Sequence, residues 1–305
     1  MIQISSLLAQ SWFQKEHYKG FGNFLQTPHG SLHFVDLPGN AYSEPKSNLT
    51  EQQGVPTIFI HGNLGWSYEW RYILASASAR VIAPDLLGFG LSHRGKHPLS
   101  LDVHAELLAS LIVFLKLKKF NIVAHDLGSQ LGLRLIQKFP NFVHKVIFIN
   151  AWYDQSKIEA PSTRFAAKNA LKWVSLKAYL YFGFTIKLVN MNLWKYVLDL
   201  PEKDKQSFFQ MQPFGHRHQS ISFRRQMSVS NHLSLENQES IASLSLPALI
   251  LWGKKDSLLD RHHLAQWQNM IPDAPTVIFS KSGHWPHLDN AETTSEVIHQ
   301  FIADY

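Results

Sequence analysis

The chain has 305 residues, 45% of them apolar and 17% charged, a balance that excludes a disordered chain and suffices for about two average domains or for one large α/β domain with an insertion. It contains no cysteine, which rules out disulfides, thiolate nucleophiles and cysteine-held zinc or iron–sulfur centres. The formal charge of +6 is uneven: residues 154–230 hold 12 Lys plus Arg against 5 Asp plus Glu, interleaved with apolar positions as in Lys168, Leu171, Lys172, Trp173, Lys177 and Leu180. That interleaving reads as amphipathic helix with a solvated basic face, not as a nucleic-acid surface, and contact with an anionic membrane is its alternative use.

In chain order, Met1 to Lys15 lacks the basic start and unbroken apolar stretch of a signal peptide, and no run of about 18 apolar residues follows, so the cytoplasm is the expected location. Ser31 to Asp36 reads as part of an opening antiparallel hairpin, and Asn40 to Gly54 as a polar loop. Strands are predicted at Thr57 to Ile60, Val81 to Ala83, Asn121 to Ala124, Val146 to Ile149, Ala248 to Trp252 and Thr276 to Phe279. Between them, Val103 to Leu117 repeats Leu107, Leu111 and Phe114 at helical spacing, and Ser129 to Phe139 forms a helix stopped by Pro140. The alternation predicts βαβ units and a mostly parallel, doubly wound sheet. It breaks over 152–230, which is aromatic, helical and basic, so the expected layout is a core of 1–151 and 231–305 with a helical cap inserted at 152–230.

The stretch from Ile122 to Ser129 runs from a buried strand through a tight turn into a helix, with small residues Ala124 and Gly128 two before and two after Asp126. This is the pattern of a nucleophile elbow, which lifts its central side chain above the sheet. Ser129, in the first turn of the helix, reads as a backbone partner. Strand Thr57 to Ile60 leads into His61, Gly62 and Asn63, a loop able to offer N–H groups to an oxyanion, with the Leu127 N–H as second donor. Strand Ala248 to Trp252 leads to Asp256, and Thr276 to Phe279 to His284. Nucleophile, acid and base then follow in order at carboxyl ends of strands, where open α/β sheets bind ligands. Asp154 and Asp260 are read as surface or cap residues, and His125 as a residue that packs or hydrogen-bonds locally. No metal is expected, since His216 with His218 and His262 with His263 each lack a third ligand.

On these residues, together with His61 to Asn63, Ser67 to Arg71 and Ala83 to Ser92, the sequence resembles the α/β-hydrolase branch of haloalkane dehalogenases and epoxide hydrolases over nearly its whole length. The resemblance implies an α/β-hydrolase fold, Asp126 as nucleophile, His284 as base and Asp256 as its orienting acid. Some dehalogenases place the acid at the end of the strand after the elbow helix, where this chain has Asn150. A carboxylate suits attack on saturated carbon because it is ionised at neutral pH without a base. The implied course is an alkyl ester on Asp126, cleaved by water that His284 deprotonates, with no cofactor and a small apolar organic substrate.

The leaving group divides the possibilities. A halide wants N–H donors, and in the resembling dehalogenases an asparagine at the place of Asn63 supplies one, though their tryptophan after the nucleophile is here Leu127. An epoxide oxygen wants an acid such as a cap tyrosine, for which Tyr153, Tyr179, Tyr181 and Tyr196 are candidates, although the proline usual in those enzymes is here Leu64. Trp66, Trp173 and Trp194 are candidate indole donors to a halide. A strained lactone is a third substrate, and a non-catalytic ligand-binding protein of the same fold is the reading from outside enzymology.

Overall fold

The structure is a computed structural model and describes residues 8, 10–11, 13–39, 54–63, 65–94, 99–152, 204, 207, 211, 246–256, 258–259 and 261–303. Eight strands are found among them: β1 (Asn23–Thr27), β2 (Gly30–Leu37), β3 (Thr57–Ile60), β4 (Val81–Pro84), β5 (Phe120–His125), β6 (Val143–Ile149), β7 (Ala248–Gly253) and β8 (Thr276–Phe279). They form one sheet in the order β1-β2-β4-β3-β5-β6-β7-β8, antiparallel from β1 through β2 to β4 and parallel from there on. Each predicted strand is present within a few residues of its expected bounds, and the opening hairpin gains a partner in β1. The proposed cap, with its basic helical stretch, lies outside the described residues apart from Asp204, Ser207 and Met211.

The helices are α1 (Arg71–Ser76), α2 (Leu101–Phe114), α3 (Gly128–Lys138), α4 (Arg261–Met270), α5 (Pro286–Asp289) and α6 (Ala291–Ala303), with a 3-10 turn at Ser67–Trp70 leading into α1. Ser100 starts α2 by accepting the Val103 N–H at 3.2 Å, which satisfies one of the donors a helix leaves open at its first turn. Phe114 departs from expectation. Leu107 and Leu111 are buried at 5% and 1% exposure, whereas Phe114, in the last turn, is 55% exposed, its ring 6.4 Å from that of Phe34.

Side chains of the central strands divide between two apolar layers, because successive residues of a strand face opposite sides. Ile122, Ala124, Phe148 and Ile250 join the layer under α2 and α3, while Val123, Ile147, Ile149, Leu249 and Leu251 join the layer under α1 and α6. β5 is buried at every position, which explains its unbroken apolar run. The buried Lys145 ammonium donates to the carbonyls of Phe301 and Ile302 at 2.8 and 2.9 Å, using a cation to close the last turn of α6.

One buried ion pair joins α1 to a residue of the stretch expected to form the cap. Arg71 donates to the Asp204 carboxylate, both side chains being 1% exposed, and to the Tyr68 carbonyl, Tyr72 Oη and Gln14 Oε1, each at 3.1 Å. The chain winds from β3 outward to β4 and then returns across β3 to β5, so the carboxyl ends of β3 and β5 flank the point where strand order reverses. A crevice for a ligand is expected there.

Candidate active site

Asp126 follows β5 with φ +47°, a left-handed conformation that costs a non-glycine residue energy and turns the chain sharply toward α3. Three donors hold its carbonyl: the Ser129 N–H at 3.2 Å, the Ser129 hydroxyl at 2.5 Å and the Trp152 N–H at 3.0 Å. Ser129 is therefore the backbone partner that the sequence suggests. Gly128 is needed for closeness, since a Cβ there would stand 2.5 Å from the Ile60 carbonyl oxygen of β3. Gly128→Ala is expected to push α3 away from β3 and to destabilise the fold by about 1–3 kcal/mol, read as a lowered urea midpoint at unchanged m-value.

The Asp126 carboxylate lies between the two loops named by the sequence. Its Oδ2 accepts the Asn63 N–H at 2.9 Å, and its Oδ1 lies 3.7 Å from His284 Nε2. On the far side of the ring, His284 Nδ1 is 2.7 Å from Asp256 Oδ2. Asp256 Oδ1 accepts the N–H groups of Leu258 and Leu259 at 2.7 and 2.9 Å. Because that carboxylate accepts at Nδ1, the neutral His284 ring presents its lone pair at Nε2, toward Asp126.

Burial alone would lower the His284 pKa. The charge and hydrogen bond of Asp256, with the charges of Asp126 and Glu69, outweigh it and hold the value above the ordinary 6.5. Burial alone would raise Asp256, but His284, the loop N–H groups and Asn150 hold it below its usual range.

Asn150 marks where sequence reasoning stopped short. It stands at the alternative acid position, at φ +37°, and it donates from Nδ2 to Asp256 Oδ2 at 2.6 Å while its Oδ1 accepts the Gly253 N–H at 2.8 Å. It positions the carboxylate that replaces it. His125, read as packing or hydrogen-bonding locally, does form a hydrogen bond, but one distant in sequence: its Nε2 donates to the His284 carbonyl at 2.9 Å, across 159 residues. Its buried neighbours at the base of the site are Glu69 and His287.

A cavity opens on Asp126, lined by Asn63, Leu127, Trp152, Leu258, His284 and Trp285. Leu127 is one of these lining residues and stands as the N-cap of α3. Trp152, Leu258 and Trp285 were not singled out in the sequence, because only the fold brings the ends of β6, β7 and β8 together. Trp66 is instead buried in an aromatic cluster with Tyr18 and Tyr68. Tyr153, Tyr179, Tyr181, Tyr196, Trp173 and Trp194 lie outside the described residues. Among the described residues no helix is long and apolar enough to cross a membrane.

Comparison with known proteins agrees with this architecture. A family model described as alpha/beta hydrolase fold matches residues 55–291. The chain is 22% identical over 293 residues to a cis-3-alkyl-4-alkyloxetan-2-one decarboxylase of Shewanella oneidensis, covering 89% of this chain and 88% of that protein. It is 27% identical over 274 residues to a 2-hydroxymuconate semialdehyde hydrolase of Pseudomonas putida, covering 85% and 91%. Among solved structures, the haloalkane dehalogenase DatA of Agrobacterium tumefaciens superposes with a TM-score of 0.73 at 19% identity, over 96% of this chain and 99% of that one.

Proposed function

The chain belongs to the α/β-hydrolase fold family, and on that footing we propose that it is a hydrolase whose nucleophile is the carboxylate of Asp126, acting on a small apolar electrophile with water as second substrate. The observation that carries this reading is the residue at the elbow: a strained, nearly buried aspartate, with a main-chain N–H on one oxygen and a histidine lone pair facing the other.

In the first half-reaction Asp126 Oδ1 attacks carbon and the leaving group departs with the bonding electrons, giving an alkyl ester whose carbonyl oxygen, Oδ2, keeps the Asn63 N–H. In the second, His284 Nε2 takes a proton from water as its oxygen adds to Cγ of Asp126. The negative charge then gathers on Oδ2, between the N–H groups of Asn63 and Leu127. Collapse breaks the bond from Cγ to Oδ1, the proton on His284 passes to the departing alkoxide, and the carboxylic acid left at Asp126 loses water's second proton to solvent, restoring the carboxylate with one oxygen from water. Asp256 holds the imidazole in the required tautomer and stabilises its protonated form.

Haloalkanes and epoxides fit this course, as does the relationship to a fold neighbour that is a haloalkane dehalogenase. A strained β-lactone is the second reading, favoured by the relative named for an oxetan-2-one substrate. Such a ring offers Asp126 both a carbonyl carbon and a saturated C–O carbon.

The test is intact-protein mass spectrometry of His284→Gln incubated separately with short haloalkanes, epoxides and β-lactones. Without the base, attack continues and hydrolysis stops, so an adduct mapping to Asp126 is expected, and the panel that produces it identifies the leaving group. An unmodified Asp126 with every panel, in a wild type that also turns none over, would remove the basis of the reading.

A further inference from the structure

Behind the catalytic face lies a second group of polar side chains that the reaction as drawn does not use. Glu69, in the 3-10 turn before α1, is fully buried, with Oε1 3.3 Å from His125 Nδ1 and 3.6 Å from His287 Nε2. Its carboxylate fills the space over Gly65, where a Cβ would fall 1.9 Å from Oε2. Such a niche leaves an ionised carboxylate in a dry interior, where a charge persists only against an opposite one.

The partners of His125 account for that opposite charge. Its Nε2 meets the carbonyl oxygen of His284 at 2.9 Å, and a carbonyl only accepts, so Nε2 carries a hydrogen. Its Nδ1 faces the Glu69 carboxylate, which also only accepts when ionised. Burial would raise Glu69, but the imidazoles of His125 and His287 beside it bring it down to about 2, so Glu69 is held as the carboxylate. His287 is not the carrier, because burial in the layer stacked on Trp70 pushes it down to about 4. The other titratable group facing His125 is the His284 ring, 4.8 Å away between centroids.

We propose that Glu69 and His125 form a buried carboxylate–imidazolium pair that positions the base, the His125 cation tying the main chain of His284 to the strand that carries the nucleophile. The role assigned to the pair rests on the reading of His284 as base. Glu69 and His125 are positioning residues, touching no substrate. Losing the pair frees the His284 backbone, and the step that suffers is the one needing Nε2 aligned on water, the hydrolysis of the ester. Alkylation by Asp126 needs no base and is spared.

The experiment has two readouts on the full chain. In protein labelled with 15N-histidine, the ring resonances of His125, assigned by their loss in His125→Gln, are expected to show both nitrogens protonated at pH 7. In Glu69→Gln, which keeps the shape and removes the charge, one nitrogen is expected to lose its proton. In single-turnover mass spectrometry the same variant is expected to break down the alkyl-enzyme on the order of 100-fold more slowly while forming it at the wild-type rate. A singly protonated His125 in the wild type overturns the pair, and so does elemental analysis finding one equivalent of a divalent metal among Glu69, His125 and His287. Equal slowing of both half-reactions, or of neither, overturns the positioning role. The wild-type spectrum and its assignment need no substrate, so the pair stands or falls separately from the assignment of Asp126.

Discussion

Asp126→Asn is expected to lower kcat/KM by about 10,000-fold or more, the scale on which an enzyme loses activity when a covalent nucleophile is removed. Asparagine is the informative replacement because it tolerates the left-handed backbone better than other side chains. It also matches aspartate in size and keeps an oxygen for the Asn63 N–H, so the elbow stays formed. What it lacks is an anionic oxygen to attack carbon. The thermal midpoint should stay near that of the wild type, and the mass spectrum should show no adduct with the panel that labels His284→Gln. Activity above about one per cent of wild type, against the loss expected for a nucleophile, would move the nucleophile elsewhere.

The second large effect is expected from Asp256→Asn, about 1,000- to 10,000-fold in kcat by analogy with loss of the orienting acid in serine hydrolases. Asp256 Oδ1 is committed to two main-chain N–H groups and Oδ2 to the Asn150 amide and His284 Nδ1. In the variant the amide oxygen takes the first place, and its NH2 group faces both remaining donors. His284 then relieves the clash by carrying its proton on Nε2, the wrong tautomer to accept one from water. Formation of the alkyl-enzyme continues and its breakdown stops. The wild type should show a milder form of the same arrest at low pH. His284 is held above 6.5, so on acidification it protonates from above that value and ester hydrolysis fails, while Asp126 still attacks. Acid-quenched mass spectra at pH 6 and pH 8.5 measure this directly, with more ester expected at pH 6.

The strands were legible because each is a short apolar run between turn residues, and five of the six lie inside a parallel sheet that buries both faces. β1 was harder to see: its sequence, NFLQT, is half-buried at an edge and carries no apolar run. The helices Arg71–Ser76, Arg261–Met270 and Ala291–Ala303 were not singled out, since each packs one face on the sheet and mixes polar residues into a weak period. Asp126, Asn63, Asp256 and His284 could be picked out because each follows a strand that could be read. Asn150, Trp152 and Glu69 could not, because their importance comes from contacts between segments far apart in sequence. Asn150 looks like a missing acid until Asp256 is seen beside it, and nothing in the sequence singles out Glu69 until it is found buried against His125.

The buried pair of Arg71 and Asp204 sets a limit on how the molecule can be simplified. A shortened chain that bridges Trp152 to Leu246 with a brief linker would keep every described strand and, with Asp126, its neighbours Asn63, Asp256 and His284. It would also strand the Arg71 guanidinium in the interior with no counter-charge, at a cost of about 3–5 kcal/mol, a large part of the net stability of an ordinary domain. Replacing Arg71 by methionine in the same shortened chain removes the stranded charge and should recover much of that loss, so a minimal version of this hydrolase has to be redesigned at Arg71 as well as at the cut.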